Sequence, residues 1–333
     1  MNIHIRGTVE FEKILSQPWA NSIETTRVRM AVQQLLDTQE STVHLRKQLK
    51  AYIAKSDELA HHLSKHWDQP LIEQPSFEWC VNDAIIHTPC WRIESILPRF
   101  ALALMNGNIG HELVATQEFK DARAAFQRQE TLYRQCAEKL VQWKWKLSNL
   151  NHDVLQSQWH LAKTDQCRGM ADLCMLCTGI QKQTASTAMF TVSQRALRHF
   201  SRSLATWPSK QAQDLMQVAE ALRYYYSADI LWNNGNYGKS IHRLERWQTS
   251  HLEFGPFDLL KEELGKVLFL AHERRQTNDG AYFETVTEGP ALTTIAELIR
   301  TPESTDRPHP IVTPAWGAAG EVASTPEEPE ETQ

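Results

Sequence analysis

The residues best suited to metal chemistry are Cys174 and Cys177, with Cys167 and His160 upstream. His160, Cys167 and Cys174 follow one another at steps of seven, so they share one face of a helix. Each step spans about 10.5 Å of helix axis, whereas zinc ligands lie only about 2.0–2.3 Å from a single ion. Cys174 and Cys177 alone are close enough to share a metal, and the chain has no second CxxC motif. We therefore predict no metal site and no cofactor.

The same cysteine pair raises the possibility of thiol redox chemistry. A redox-active CxxC is expected beside a strand–helix–strand unit, and the residues around Cys174 show a helical pattern instead. The six cysteines of the chain are mostly inside helical patterns, which is typical of buried, reduced thiols. A thiol- or metal-dependent enzyme stays a rival interpretation, to be tested by metal analysis and by alanine replacement of Cys174 and Cys177.

Two further motifs resemble functional sites. His62 and His66 are four residues apart beside His61, but two ligands without a third favour a solvated helix face. The triplet Gly238-Lys239-Ser240 resembles the end of a phosphate-binding loop. Its first glycine would have to stand at Asn233, and a helix precedes it where that loop requires a strand. We exclude both sites on these grounds.

The helices that carry these residues are organised around one predicted hairpin, residues 221–247. Its first half has apolar residues at helical steps, namely Leu222, Tyr225, Tyr226, Ile230 and Leu231. Asn233, Asn234 and Gly235 then favour a turn. The second half resumes helical steps with Tyr237, Ile241, Leu244 and Trp247. Such a pair buries its apolar faces only against a neighbouring pair, which predicts stacked helical hairpins.

Similar patterns cover most of the chain. Residues 2–6 alternate apolar and polar and predict a short strand. Helical spacing predicts helices over 22–37, 42–67, 100–115, 117–147, 152–178, 187–205 and 257–276. The predicted fold class is therefore mostly α, a curved solenoid of tetratricopeptide-like hairpins with a small β element near the N-terminus.

The charge is concentrated at the C-terminus. The chain of 333 residues has a net charge of −5, and residues 301–333 alone carry seven acidic residues and one basic residue. The remainder is nearly neutral, so we expect no nucleic-acid partner. Six of the 14 prolines also fall after residue 300, which predicts an acidic, proline-rich, disordered tail over 301–333. Residues 308–314 of this tail either solubilise the protein or bind a proline-recognition partner.

No long apolar stretch resembles a secretory signal or a membrane span, and Asn2 excludes myristoylation. We expect a cytoplasmic protein that meets membranes only indirectly, because no basic amphipathic helix is evident.

Five motifs in order resemble the Bro-one domain of the ALIX-like, ESCRT-associated adaptors, over about residues 5–295. The hairpin from Tyr224 to Trp247 is the most specific of them. Of the other four, the first is Phe77-Glu78-Trp79. The second is Glu94, five residues before Arg99-Phe100, together with the small-residue helix 101–115. The third is the segment from Phe119 to Tyr133, and the fourth is Asn278-Asp279-Gly280-Ala281-Tyr282. The chain is identified as a Bro-domain-only member, with a helical domain over 1–300 followed by the tail.

The resemblance implies a function without catalysis. A concave apolar patch would receive the amphipathic C-terminal helix of a Snf-seven-type ESCRT-III subunit, in endosomal sorting and membrane remodelling. The protein would then be cytoplasmic and peripheral to endosomal membranes. The alternative is a generic tetratricopeptide-like scaffold that binds another peptide.

The resemblance also implies a set of patch residues. With Phe200 aligned to the family's aromatic pair, the family's aliphatic positions fall on the helix 187–205, and its upstream aromatic falls near Arg168. Neighbouring apolar residues would replace that aromatic. The residues expected to bind the partner are Met170, Leu173, Ala188, Met189 and Val192.

Overall fold

A computed structural model describes residues 3–15, 19–38, 42–65, 77–81, 84–88, 90–147, 152–246 and 252–287. This part of the chain is mostly helical. Its α-helices are α1 Phe11–Ile14, α2 Ser22–Thr38, α3 Thr42–Lys65, α4 Leu97–Ala115, α5 Phe119–Leu147, α6 Ser157–Gln181, α7 Ser186–Thr206, α8 Lys210–Asn233, α9 Tyr237–Arg246, α10 Asp258–Gly265 and α11 Val267–Thr277. The mostly α, curved-solenoid fold class and the helix order predicted from periodicity are confirmed.

A three-stranded antiparallel sheet lies at the N-terminal end. Its strands are β1 Ile3–Arg6, β2 Phe77–Val81 and β3 Ala84–Thr88, in the order β1-β2-β3. Trp79 in the central strand is opposite Ile5 on one side and Ile86 on the other. The strand at residues 2–6 was predicted, but β2 and β3 were not, because each is too short to show a clear period.

A buried polar cluster joins this sheet to the helices. Glu94, in a 3-10 turn at Trp91–Ser95, is 1% exposed and accepts hydrogen bonds from Trp79, Arg29 and Tyr52. The distances are 2.9 Å from Trp79 Nε1 and 3.3 Å from Arg29 Nε. Arg29 is fully buried and also donates to the carbonyl of Gly7 at 2.9 Å. These donors compensate the cost of removing a carboxylate from water.

From α4 to α9 each helix packs against the next in sequence, which is the arrangement of stacked hairpins. At the C-terminal end the order changes, because α10 contacts α6 and α8, and α11 contacts α9. The buried apolar residues form two clusters. The first lies between the sheet and α2 to α5, and the second fills the space among α5, α6, α7, α8, α9 and the C-terminal helices. α6 lies in the middle of the stack, where α5, α7 and α10 all contact it.

The predicted hairpin at residues 221–247 is observed as α8 and α9. Gly235 connects them with φ of +76°, a left-handed conformation that glycine adopts at little cost. Ser240 in α9 is fully buried and donates to the carbonyl of Ala228 at 2.7 Å, and it accepts from Arg274 at 3.0 Å. Its hydroxyl therefore holds helices together, which agrees with the interpretation that Gly238-Lys239-Ser240 is not a phosphate-binding loop.

The motif at residues 278–282 closes this end of the molecule. It forms a π-helical turn, and the Asn278 side chain donates to the carbonyl of Glu284 and accepts from its amide. The Glu284 carboxylate in turn accepts from the amide of Gly238 at 2.8 Å, at the beginning of α9. Tyr282 stacks on Tyr237 with ring centroids 3.7 Å apart. The turn ends at Tyr282, and residues 283–287 run on without regular structure.

One helix boundary was predicted wrongly. The leucine-rich segment 257–276 was predicted as a single helix, but α10 ends at Gly265 and α11 begins at Val267. Glycine is a poor helix former, and the Lys266 amide bonds to the carbonyl of Glu263, only three residues back. Leu268, in the first turn of α11, is exposed.

None of the described helices is long and apolar enough to cross a bilayer. The predicted tail 301–333, its segment 308–314, the boundary at residue 300, Trp247 and His66 lie outside the described residues. The ring of His62 stacks on Trp19 at 5.9 Å between centroids.

Candidate helix-binding groove

Three consecutive helices, α5, α6 and α7, present side chains to a shared surface depression of about 200 Å³, named here the charged groove. Each helix contributes residues at steps of three and four, so each set forms one stripe. The groove is lined by Arg123, Gln127 and Glu130 of α5, by Cys167, Arg168, Ala171 and Asp172 of α6, and by Arg195 and His199 of α7.

An ion pair connects α6 to α5 across the groove. The Arg168 guanidinium lies 2.9 Å from Glu130 Oε1 of α5, and it also lies 3.1 Å from Asp165 Oδ1 on its own helix. Burial opposes ionisation of Asp165, but His199 and Arg168 favour the carboxylate more strongly, so its pKa is lowered. This part of the groove is therefore charged and internally paired.

A second set of ion pairs connects α6 to α7. Arg195 Nε lies 3.0 and 2.9 Å from the two carboxylate oxygens of Asp172, and Nη2 lies 2.6 Å from Oδ1. The His199 ring lies between two acidic residues of α6. Its Nδ1 is 3.8 Å from Asp165 Oδ1, and its Nε2 is 3.8 Å from Asp172 Oδ2. The Asp172 side chain is buried and that of Arg195 is nearly half exposed, so a partner would meet the arginine.

Apolar surface is available at one end of the groove. Ala188 and Val192 extend the stripe of Arg195 and His199 towards the start of α7; Ala188 is exposed and Val192 is half-buried. Met175 of α6 is also half-buried, and its sulfur lies 3.1 Å from Arg195 Nη2. These three side chains form a short edge, named here the apolar edge, and the rest of the groove is polar.

Three of the five expected patch residues are inside the protein. Met170, Leu173 and Met189 are 3%, 0% and 3% exposed and belong to the second apolar cluster. Met189 lies against Gly179, where an added Cβ would meet its sulfur at 2.2 Å. In this structure these side chains offer almost no surface to a partner, and Ala188 and Val192 are the accessible members of the set.

Sequence reasoning missed the charged groove, although a signal was present. Asp165, Arg168 and Asp172 interrupt a helix that is otherwise buried on nearly every side. Charges on a buried helix need partners, so these three predict ion pairs with the neighbouring helices. Arg168, near which the family's aromatic was expected to fall, lines the groove itself, while the neighbouring Met170 and Leu173 are buried.

The histidine and cysteines that suggested a zinc site, His160, Cys167, Cys174 and Cys177, are all buried in the protein interior. His160 is fully buried, its Nε2–H donates to the carbonyl of Val154 at 2.7 Å, and burial lowers its pKa to about 4. Burial raises the pKa of Cys174 to about 12 and also raises the pKa of Cys177. Among the described residues no group of three or more histidine, cysteine, aspartate or glutamate side chains is arranged to hold a metal.

We expect Cys174 and Cys177 of the folded protein to react with iodoacetamide at pH 8 at least about tenfold more slowly than in urea, because reaction requires an exposed thiolate. Mass spectrometry of the labelled peptides measures this rate. Cys90, which is partly exposed, serves as the internal control. Rapid labelling of the pair in the folded chain would instead restore the thiol-enzyme hypothesis.

No family model and no curated protein sequence matches the chain. Its structure is similar to solved Bro1 (Bro-one) domains. The ALIX Bro1 domain in a complex with CHMP4C is 12% identical with a TM-score of 0.65, and the alignment covers 86% of this chain and 89% of that one. A structure of a Bro1 domain concerned with endosomal targeting is 16% identical with a TM-score of 0.61, covering 90% and 91%.

A third similar structure is ALIX in complex with the late-domain peptide of SIVmac239. It is 12% identical with a TM-score of 0.65, and the alignment covers 86% of this chain but 46% of the longer ALIX chain. The chain therefore has the fold of a Bro1 domain, as the order of its motifs predicted.

Proposed function

We propose that the chain is a non-enzymatic adaptor whose α5–α7 surface binds an amphipathic helix of an ESCRT-III subunit. The observation that carries this proposal is the accessible stripe along α7, where Ala188 and Val192 continue directly into Arg195 and His199 on a Bro1 fold. An amphipathic helix has an apolar face bordered by charged residues, and this surface has an apolar edge next to charged side chains.

The apolar edge defines how much of the partner is buried. Val192, Ala188 and Met175 provide room for one or two aliphatic anchors of a helix. Beyond them, the partner must satisfy charged groups whose desolvation is costly. We therefore expect a shorter apolar contact than the extended patch implied by the resemblance, with polar contacts supplying the remainder.

Arg123 is the charged group best placed to select a partner. It lines the groove from α5, and among the described residues no hydrogen bond or ion pair engages it. Arg168 and Arg195, in contrast, already have carboxylate partners. An acidic side chain on the incoming helix would pair with Arg123 at the rim of the contact. Charges at the rim of an interface affect the association rate and the choice of partner.

The experiment is a titration of the purified chain with a peptide spanning the C-terminal amphipathic helix of a Snf-seven-type ESCRT-III subunit. We expect saturable binding with a micromolar Kd, measured by fluorescence anisotropy, and no binding of a scrambled peptide with the same composition. Peptides from other ESCRT-III subunits, titrated in parallel, test the Snf-seven preference. Absence of saturation at high micromolar peptide would contradict the proposal.

Replacing Arg123 by glutamate is expected to weaken peptide binding by about tenfold, because it places a negative charge where an acidic partner residue would lie. The same titration measures the effect. Lys261→Glu is the control, since it makes the same change of charge at an exposed residue of α10 that does not line the groove. An equal loss in both variants would show that net charge, and not the groove, governs binding.

The charged character of the groove favours one second candidate, a tetratricopeptide-like scaffold for a more polar peptide. The ion pairs at Arg168 and Arg195 leave little apolar area for a strongly hydrophobic helix. A titration in which a polar, acidic peptide binds and the ESCRT-III helix does not would select this candidate. Recruitment to endosomal membranes belongs to the first proposal only, and loss of co-localisation with ESCRT-III in cells on Arg123→Glu tests it.

A further inference from the structure

Away from the charged groove, α3 and α5 both pack against α4, and an acidic residue lies between basic ones where the three helices meet. Asp57 of α3 accepts from Lys139 of α5 at 2.9 Å and is paired with Arg99 of α4. Burial opposes ionisation of Asp57, but Arg99 and Lys139 favour the carboxylate more strongly, so its pKa is lowered. At this level, cations from two helices bind one negative group.

Three turns away, the same helices bring two arginines together. Arg46 comes eleven residues before Asp57 in α3, and Arg128 comes eleven residues before Lys139 in α5. Eleven residues are about three turns and about 16.5 Å of helix axis, so each arginine shares a face with the later residue. Partial desolvation lowers the pKa of Arg128, and the nearby positive charge of Arg46 lowers it further. The two guanidiniums are therefore neighbours.

Neither arginine of this pair has a carboxylate partner among the residues that the structure describes. Arg128 donates from Nε to Oδ1 of the buried Asn106 at 3.4 Å, which orients its guanidinium and leaves its two Nη groups without a described acceptor. Arg46 Nε is buried and also has no acceptor in the described part of the chain. The same is true of Nε in Arg99 and Arg223, but each of those guanidiniums is paired with a carboxylate through Nη2.

The surrounding charges add to the positive potential of the pair. From residue 42 to residue 56, α3 has four lysine or arginine residues and no acidic one. Lys50 is exposed and lies about one turn from Arg46. Asp121, about two turns from Arg128 on α5, partly offsets the effect of Arg46 on the pKa of Arg128, but no ion pair joins Asp121 to it in the described structure. Two like charges at this separation repel each other, and an anion between them removes the repulsion.

We propose that Arg46 and Arg128 form a binding site for a phosphomonoester, with Asn106 orienting Arg128. A phosphomonoester carries a charge of about −1.5 to −2 at pH 7 and three acceptor oxygens, so it balances both arginines, whereas a single carboxylate balances only one. The group belongs either to a small soluble molecule or to the headgroup of a lipid such as phosphatidic acid, because both present the same chemistry. The site shares no residue with the lining of the charged groove, so it does not depend on peptide binding.

Titration of glycerol 3-phosphate with the full chain, followed by phosphorus NMR of the ligand, tests the site. We expect saturable binding with a Kd of about 1 mM or tighter, weakened at least about tenfold when Arg46→Gln and Arg128→Gln are combined. Arg198→Gln with Arg202→Gln is the matched control, because it removes the same two charges from exposed arginines one turn apart on α7. We expect this control to bind as the natural chain does. Equal weakening in the two double variants would overturn the proposal, because net charge would then explain binding.

Thermal unfolding gives a second measurement and shows whether the variant folds. Without ligand, we expect the Arg46→Gln, Arg128→Gln variant to unfold at or above the temperature of the natural chain, because the repulsion between the arginines is gone. Glycerol 3-phosphate should raise the unfolding temperature of the natural chain only. A ligand-free midpoint lowered by more than about 5 °C would overturn the proposal, since the arginines would then stabilise the fold without an anion.

Vesicles distinguish the two sources of the phosphate. Phosphatidylcholine vesicles that contain phosphatidic acid are compared, by cosedimentation, with vesicles that contain the same fraction of phosphatidylserine, whose phosphate is a diester. A preference for phosphatidic acid that is lost in the Arg46→Gln, Arg128→Gln variant would identify a lipid headgroup as the ligand. Binding of glycerol 3-phosphate without such a preference would identify a soluble phosphomonoester. If glycerol 3-phosphate does not bind and the vesicles are not distinguished, the proposal is wrong.

Discussion

Replacing Glu94 by alanine is expected to lower the free energy of unfolding by about 3–5 kcal/mol, the largest effect we predict for a single substitution in this chain. The carboxylate accepts from Trp79, Arg29 and Tyr52 in a site with almost no exposure. Its removal leaves the fully buried Arg29 guanidinium without a counter-charge and three donors without an acceptor. Urea denaturation followed by far-UV circular dichroism measures the loss.

Glu58→Ala is the control for this experiment. Glu58 also accepts two hydrogen bonds, from Asn21 and Lys55, but its side chain is 47% exposed. Water replaces those partners, so we expect a loss below about 1 kcal/mol. Glu94→Gln keeps the shape of the side chain but removes its charge, and it places the amide NH2 group against one of the three hydrogen-bond donors. We expect a loss of unfolding free energy between those of the two alanine variants. If Glu94→Ala were no more costly than Glu58→Ala, the buried cluster would not stabilise the fold.

Val192→Asp is expected to weaken binding of the ESCRT-III helix by at least about thirtyfold, which corresponds to roughly 2 kcal/mol. The substitution places a carboxylate in the middle of the apolar edge, where an aliphatic anchor of the partner would have to desolvate it. Because Val192 is only half-buried, water still solvates the new charge in the free protein, and helicity should be retained. Anisotropy titration and circular dichroism measure the two quantities.

Ser201→Asp provides the matched control for Val192→Asp. Ser201 is an exposed residue of the same helix, nine positions after Val192 and therefore on the opposite face from the stripe formed by Ala188, Val192, Arg195 and His199. It introduces the same charge, and we expect nearly unchanged affinity. A global loss of helicity in Val192→Asp would mean that Val192 is a core residue. Equal affinities for the two variants would move the binding site away from α7.

The Arg123→Glu and Val192→Asp variants test opposite sides of the groove. One is a rim charge on α5 and the other an apolar contact on α7, and no described hydrogen bond or ion pair links them. Their effects on binding energy should therefore add in the double variant to within about 0.5 kcal/mol.

Much of the fold follows from local pattern alone. Apolar residues three and four apart predict a helix whatever surrounds it, and the turn at Gly235 requires a residue that tolerates positive φ. The helix order, the hairpin of α8 and α9 and the N-terminal strand could therefore be read from the sequence. The strands β2 and β3 could not, because their five residues each are stabilised by pairing with each other and with β1.

The proposed binding surface depended on tertiary structure. Periodicity shows which residues share a face of α6, but not which faces its neighbours cover. α5, α7 and α10 all pack against α6, so Met170 and Leu173 are buried and the stripe with Arg168 reaches the groove. The ion pairs of Arg168 and Arg195 join residues 38 and 23 positions apart, and no local rule specifies such partners. The sequence by itself determined the helices and their order, while packing decided which side chains a partner can touch.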